Sequence, residues 1–399
     1  MKIILITTIT PASENIRGTS ALPYHLMVER RWNIDVEVYS YNLNQLSEEK
    51  IAQVEQELNV KIHLMPLPRW LVLMARLHML VLRIFLRLPY LSYLCLPKNV
   101  EREIRAGNPD GIWVYGEEIA GLMAQFADFK RVHVGPDSEA LYYYRMLGQR
   151  FVVNDWKMYL RQLVMYPKYL RLERSYLSDD TARYAVVGEA DAEFIRQMNP
   201  QCKTFFLRHP HYDVLRPTKD VIHFHQPVRL LVAGRYDLYM RQSADELMEA
   251  FCRCKGNYLK ASYEITFLGK GWNMHAERLR QSGWKVRQIT FAPNYAEEVM
   301  RHDIQLSPIT VGTGTKGKVL DALANGLLVV GTLYAMENVA VKNGQSCVVY
   351  QRAAEVVELL ADILSRLSFY EQMAEKGRQS VLSTHDRKLL AHDLFDFFR

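Results

Sequence analysis

The sequence predicts an α/β protein made of two doubly wound, parallel-sheet domains in series, facing each other across a cleft. Three observations carry this expectation. Short apolar runs alternate with longer amphipathic stretches almost from end to end, the signature of parallel strands covered by helices. The same pattern starts afresh at Val228. And 399 residues exceed one ordinary core but suit two.

In the first half the strands are expected at Lys2–Thr8, Asp35–Tyr41, Gly111–Tyr115, Arg131–Gly135, Arg183–Gly188 and Lys203–Arg208. Most are β-branched or aromatic and end at a turn-forming residue. In the second half they are expected at Val228–Ala233, Tyr263–Leu268, Val286–Phe291, Ile304–Ser307, Leu327–Gly331 and Cys347–Tyr350. Helices fill the gaps, notably Ala244–Arg253, Gly317–Asn325 and Ala354–Leu364. The polar stretch Asp213–Pro227 carries two prolines and no period, and reads as a linker. The expected domains are therefore 1–212 and 228–382, with 213–227 between them and a C-terminal helix, 383–399, returning to the first. Ligands of such sheets bind outside the C-terminal strand ends, where strand order reverses.

Composition narrows the class. Hydrophobic residues make up 49% and charged residues 24%, as in a soluble globular enzyme rather than a disordered chain. The five cysteines are scattered, which points to idle thiols in a reducing compartment and away from a disulfide framework or zinc site. The opening MKIILITTIT lacks a small-residue cleavage site and reads as a buried first strand. A net charge of +6 suits an anionic small molecule or an anionic surface; no nucleic-acid module accompanies it.

One stretch departs from the βαβ pattern. Trp70–Leu88 is very apolar yet contains Arg76, His78, Arg83 and Arg87. The internal arginines argue against a spanning helix, which needs about 20 apolar residues with few charges. Plotted as one helix, Arg76, Arg83 and Arg87 share a face, the pattern of a basic interfacial helix. The alternative is a helix buried in the first domain with its arginines at the rim. The basic face favours membrane contact through Trp70, Arg76, Arg83 and Arg87.

The segment Ser307–Thr332 carries most chemical information. A strand ending near Pro308 leads into Gly312-Thr313-Gly314-Thr315, then a helix from about Lys316 that stops at Gly326. Open backbone amides at a helix start, and its dipole, favour an anion. Gly314 permits close approach, and Thr315 can cap the helix or contact a phosphate. Lys316 and Lys318 oppose the dipole of an isolated helix, so they ask for an anionic partner. The competing reading is a solvated helix with a Lys318–Asp321 ion pair.

This segment resembles the donor-binding element of the large retaining glycosyltransferase family called glycosyl transferases group 1, the glycosyltransferase family 4-like enzymes of GT-B fold. Those enzymes show a strand ending in Pro, a glycine-rich loop, then K-x-x-E-A-x-A-x-G-x-P-V-V. KVLDALANGLLVV supplies Lys318, Asp321, Ala322, Ala324, Gly326 and the Val-Val strand. Relatives often carry two glutamates with seven residues between them; here Asp321 holds the second position and Thr313 the first. The resemblance extends in order along the second domain. VRLLVAGRYDLYMRQSADELMEAF matches the opening strand, G-R turn and helix, with Arg235 as the arginine that meets the diphosphate and Arg241 within one residue of its partner lysine. YEITFLGKGW matches the next strand and its G-x-G loop, and Glu337 lies in the region that holds the nucleotide ribose.

The first domain resembles the family more loosely. Thr10–Leu26 fits the loop after the first strand, with Gly18 near donor phosphates or acceptor. Arg131–Arg145 fits the strand end where relatives carry a histidine near the reacting sugar, so His133 and Asp137 are the catalytic candidates, with Asp321 in the second domain. A core histidine and a helix cap are the competing readings of His133 and Asp137. His209 and His211 sit at a domain-junction turn, and the His223–His225 pair lacks a completed metal-ligand set and reads as linker.

The resemblance implies a metal-independent, retaining transfer from a nucleotide-diphosphate sugar to a glycan or lipid-linked acceptor, without further cofactor and without nucleic acid. A cytoplasmic setting follows, at the inner membrane face if the basic segment docks there. Alternatives are a nucleotide-sugar-binding protein that has lost catalysis and a nucleotide-sugar 2-epimerase on the same fold. A nicotinamide enzyme is disfavoured, since Pro11–Thr19 lacks G-x-G-x-x-G.

Overall fold

The computed structural model describes residues 1–399 except His78, Arg150 and Asp213, and except the side chains of Ala75, Leu80 and Asn154. The expected roles of His78 in the basic segment and of Asp213 as the first linker residue lie outside the described residues. The chain divides into two compact units, Met1–Pro210 with Arg387–Arg399, and His211–Asp386.

The first unit is built on a seven-stranded sheet in the order β3-β2-β1-β4-β5-β6-β7. Its strands are β1 (Lys2–Thr7), β2 (Asp35–Ser40), β3 (Lys61–Leu64), β4 (Gly111–Tyr115), β5 (Lys130–Val134), β6 (Ala182–Val186) and β7 (Thr204–Phe206). All pairings are parallel. β1 reads as an unbroken apolar run because both its faces are covered. Ile3 and Leu5 enter one buried cluster and Ile4 and Ile6 another, the two-residue alternation of a strand. The C-terminal helix Arg387–Asp396 closes the first of these clusters through Leu390, Leu394 and Phe395. Phe395 meets Trp113 edge-on at 6.0 Å, and Arg31 pairs with Asp396 at 2.6 Å.

The second unit holds a six-stranded sheet in the order β10-β9-β8-β11-β12-β13. Its strands are β8 (Val228–Ala233), β9 (Tyr263–Leu268), β10 (Lys285–Ile289), β11 (Ile304–Ser307), β12 (Leu328–Gly331) and β13 (Val348–Val349), again all parallel. Leu230 and Val232 face one cluster, Leu231 and Ala233 the other. Strand order reverses between β1 and β4 in the first sheet and between β8 and β11 in the second. The expected class of two Rossmann-like, doubly wound sheets is therefore what the chain forms.

Three details depart from the sequence reading. β3 was not expected. Its run KIHL is short, and half its side chains are exposed because it is an edge strand. The stretch 214–227 packs as part of the second unit: Asp303, 3% exposed, accepts from His225 N and Nδ1 and from Arg229 N, tying the approach to β8 onto β11. And Trp70–Leu88 is not one helix. An α-helix spans Arg69–Arg76 and a 3-10 helix Met79–Phe85, so the single-face argument for Arg76, Arg83 and Arg87 does not hold across the break. The segment is not buried either; all three arginines are exposed.

All five cysteines are free thiols, with Cys202 and Cys347 buried.

Candidate active site

The second unit gathers its polar residues at the C-terminal ends of β8, β9 and β11. The chain leaves β8 through Gly234, at φ 129°, and β9 through Gly269, at φ 141°. Both values favour glycine. The turns press together: Gly234 N donates to Leu268 O at 2.9 Å, and buried Trp272 donates from its indole to Gly234 O at 2.9 Å. This fixes the turn that carries Arg235, which is exposed.

The loop after β11 docks on the same turn. Thr310 N and Val311 N both donate to Tyr239 O, at 2.6 and 3.2 Å, and Ser243 N donates to Thr310 Oγ1 at 2.9 Å. Arg241 opens the helix Arg241–Arg253, its N–H bonded to Asp237 O at 2.8 Å. Burial raises the Asp237 carboxyl, while Arg235 and Arg241 pull it back down. Both guanidinium groups therefore lie within electrostatic reach of one carboxylate.

Gly314, at φ 60°, turns the chain into the helix Gly317–Ala324. That helix ends as the sequence suggests. Gly326, at φ 81°, donates to Leu323 O and Leu327 N donates to Ala322 O, both at 2.9 Å, the paired bonds of a Schellman stop. Lys316 is the N-cap residue but places no side-chain cap, so Thr315 is not the cap the sequence allowed. Lys316 also departs from its expected outward role. Its ammonium folds back onto its own loop, donating to Thr313 O at 2.8 Å and Gly314 O at 2.9 Å, because Gly312 leaves room for its stem. It stiffens the loop rather than projecting from it.

Lys318 is the cation that remains outside. It is exposed, and its ammonium sits 4.7 Å above the Tyr295 ring. Its stem runs beside the first turn: a Cβ at Gly234 would lie 3.9 Å from Lys318 Cδ. Arg235 and the start of the Lys316 helix are thus adjacent. Asp321 lies one turn further along, half-buried; burial of Tyr295 and Tyr212 raises their phenols, and the nearby Asp321 charge adds to it. Glu337 is half-buried beside Asn338, whose Nδ2 donates to Gly314 O at 2.9 Å.

Sequence reasoning missed Tyr295 and Asn338. Asn338 holds a left-handed φ of 68°, a conformation its residue type tolerates, and the E-N pair was the available signal.

In the first unit the candidates separate. Gly18 is exposed in the loop after β1, next to Arg17 at φ 54°. His133 is a core residue, the competing reading of its strand-end position. It is 1% exposed, its Nε2 is bonded to Gly116 O at 2.9 Å, and its ring lies against Tyr176 and Tyr184. Burial lowers its pKa to about 4, so the ring is neutral. Asp137 is half-buried just past β5 and is not the cap; Ser138 is, accepting from Leu141 N. Asp137 has acidic company that the sequence analysis overlooked. Burial raises the carboxyl of Glu139 well above its usual value, and Glu117 and Asp137 add to the effect. Glu117 lies two residues past the end of β4, a strand-end position that was the readable signal.

His209 is bonded to Pro210 O at 2.7 Å and lowered by burial to about 4; His211 is buried. His225 is held by Asp303. Among the described residues no group of three or more His, Cys, Asp or Glu is arranged to hold a metal ion.

The family profile described as glycosyl transferases group 1 matches residues 227–367. Among solved structures, the chain is similar to WaaG, a glycosyltransferase involved in lipopolysaccharide biosynthesis, with TM-score 0.65 and 13% identity over 99% of both chains. It is similar to Anabaena HepE in complex with UDP, with TM-score 0.62 and 12% identity over 99% of both chains. It is also similar to sucrose-phosphate synthase from Thermosynechococcus elongatus, with TM-score 0.63 and 13% identity over 100% of this chain and 98% of that one. No curated protein sequence matches the chain. Two parallel-sheet domains of this kind are the GT-B fold of these neighbours. The part of the chain that matches the glycosyl transferases group 1 profile, residues 227–367, lies within the second unit.

Proposed function

We propose that the chain transfers a sugar, with retention of configuration, from a nucleotide-diphosphate sugar to a glycan or lipid-linked acceptor in surface polysaccharide or glycolipid assembly. The observation that carries this reading is the contact of the Gly234–Arg235 turn with Lys318 at the C-terminal ends of β8 and β11. As the glycosidic bond breaks, negative charge grows on the leaving diphosphate. Arg235 and Lys318, with the first-turn amides of the Lys316 helix, are placed to stabilise it. Arg241 adds charge from the next helix. These cations supply the compensation that a divalent metal gives elsewhere, so the transfer is read as metal-independent.

Gly314, Thr315 and Lys316 shape the loop beneath the phosphates, and Glu337 beside Asn338 is positioned for the ribose. Asp321 is assigned to the donor sugar and Asp137, in the first unit, to the acceptor; His133 takes no part. Gly18 and its loop serve the first unit's ligand. UDP, which the Anabaena HepE structure contains, is the first nucleotide to test.

The exposed, basic segment 69–88 supports contact with an anionic membrane through Trp70, Arg76, Arg83 and Arg87, at the inner face of the cytoplasmic membrane. Among the described residues no helix is long and apolar enough to cross a membrane.

The experiment is a thermal-shift screen of nucleotide diphosphates and nucleotide sugars, followed by a transfer assay with the best donor. Stabilisation by at least one nucleotide sugar, and loss of both binding and transfer in Lys318→Ala, is expected. Donor binding without transfer to any glycan or lipid acceptor would favour a binding protein instead.

A further inference from the structure

The helix Trp156–Arg174 buries Tyr169 and Leu172 in its C-terminal half, together with Gln162, Lys168 and Glu173. Its N-terminal half instead leaves Trp156, Leu160 and Leu163, at i, i+4 and i+7, 53%, 48% and 48% exposed. A helix that only covered a core would not turn such an apolar stripe to solvent. Just before it, Phe151, Val152 and Val153 are exposed too.

This helix is fastened to the basic segment. Lys168 Nζ donates to Arg83 O at 2.6 Å and Ile84 O at 3.0 Å, and Arg171 donates to Arg87 O at 3.4 Å. Leu163 lies five residues from Lys168, about 8 Å along the helix axis, and Trp156 about 18 Å away. The two elements therefore meet at Lys168, and the outward stripe begins about 8 Å further along the same helix. Together they hold most of the large apolar side chains that the first unit exposes, Phe85 at 84% and Val81 at 72% among them. Exposed apolar surface of that extent on one unit marks a docking site.

Charge identifies the occupant. The sequence has no acidic residue from Leu58 to Val100, and Asp155 is the single one from Phe151 to Leu172. Over the same stretches Arg69, Arg76, Arg87, Lys157 and Arg161 are exposed cations. Apolar and aromatic side chains interleaved with arginine and lysine, without acids, complement the headgroup layer of an anionic bilayer.

We propose that the outward stripe of Trp156, Leu160 and Leu163, with Phe151–Val153, forms a second wall of the membrane-docking face, inserting beside segment 69–88 into an anionic leaflet. The proposal rests on the membrane contact assigned to segment 69–88. It makes docking a two-point attachment that fixes the tilt of the first unit on the bilayer.

The test is co-sedimentation of the full chain with vesicles of phosphatidylcholine alone and with phosphatidylglycerol added. Three variants accompany it: Trp156→Ser/Leu160→Ser, Trp70→Ser/Phe85→Ser, and Tyr258→Ser as an exposed control in the other unit. UDP affinity is measured on each, so that loss of fold or failure of the donor reading is seen separately. Wild type and control are expected to pellet with the anionic vesicles, and each double variant to lose about tenfold in partitioning with UDP affinity unchanged. If Trp156→Ser/Leu160→Ser pellets like wild type, the second wall is wrong even though segment 69–88 binds. If wild type ignores anionic vesicles, both contacts are wrong. If the chain is a dimer in solution that Trp156→Ser/Leu160→Ser dissociates, the face joins two copies and the bilayer proposal is overturned.

Discussion

A Cβ at Gly269 would lie 2.2 Å from the carbonyl oxygen of Gly234 and 2.7 Å from its carbonyl carbon. The two strand-end turns of the second unit are therefore in backbone contact, and Trp272 holds the same carbonyl from the other side. Arg235 follows Gly234 directly. Its position is set by glycine at 269 as much as by its own turn.

Gly269→Ala places a methyl against backbone at φ 141°, where neither side yields cheaply. The substitution is expected to cost about 2–3 kcal/mol of stability through strain and overpacking. It should also weaken UDP binding, because Gly234 must move. Urea unfolding and calorimetric titration measure the two effects; a variant equal to wild type in both would show that the turns are free to separate.

Lys316 and Lys318 should behave differently despite their spacing. Lys316→Met removes the ammonium bonded to Thr313 O and Gly314 O, and is expected to lower stability by about 1–2 kcal/mol. Its donor affinity falls as a consequence. Lys318→Ala removes an exposed cation, so its melting temperature should stay within about a degree or two of wild type while affinity falls. Differential scanning fluorimetry with and without UDP separates the two; a Lys318→Ala variant destabilised as much as Lys316→Met would contradict the assignment.

Glu173 gives a pH signature in the first unit. It is 2% exposed and accepts from Ser138 Oγ and Ala140 N beneath the Asp137 turn. Burial raises its pKa from 4.5 to about 7. Between those values the native chain keeps a proton that the unfolded chain has lost, so this group's contribution falls as pH rises through that window. The loss is of order 3 kcal/mol by pH 7. Glu173→Gln cannot ionise and should flatten the slope of unfolding free energy against pH between about 4.5 and 7. An unchanged slope would place the proton elsewhere.

Much of this was legible in the sequence. The apolar runs of β1, β4, β8, β9 and β11 lie buried on both faces, so their patterns were unbroken and their boundaries fell within a residue of the observed ones. The helix Gly317–Ala324 was readable from Gly326, since only its left-handed turn closes the Schellman bonds. β3 was not readable, because an edge strand of alternating exposure resembles a loop. Trp70–Leu88 misled through its periodicity: a segment whose apolar side chains face outward is not constrained to one helix by a core. The fold-back of Lys316 depends on backbone dihedrals at Gly314 that no side-chain pattern encodes. His133 looked catalytic because a strand-end position says nothing of which way the ring turns; here it turns into the sheet's core, beneath Tyr176 and Tyr184.

The central claim is that Arg235 and Lys318 hold a diphosphate together. Calorimetric titration of wild type, Arg235→Ala and Lys318→Ala with UDP and with uridine tests it most directly. UDP should bind wild type far more tightly than uridine, and each substitution should weaken UDP by about tenfold or more, the worth of one charge-assisted contact, while leaving uridine unchanged. Uridine binding as tightly as UDP, or both variants binding UDP like wild type, would contradict it.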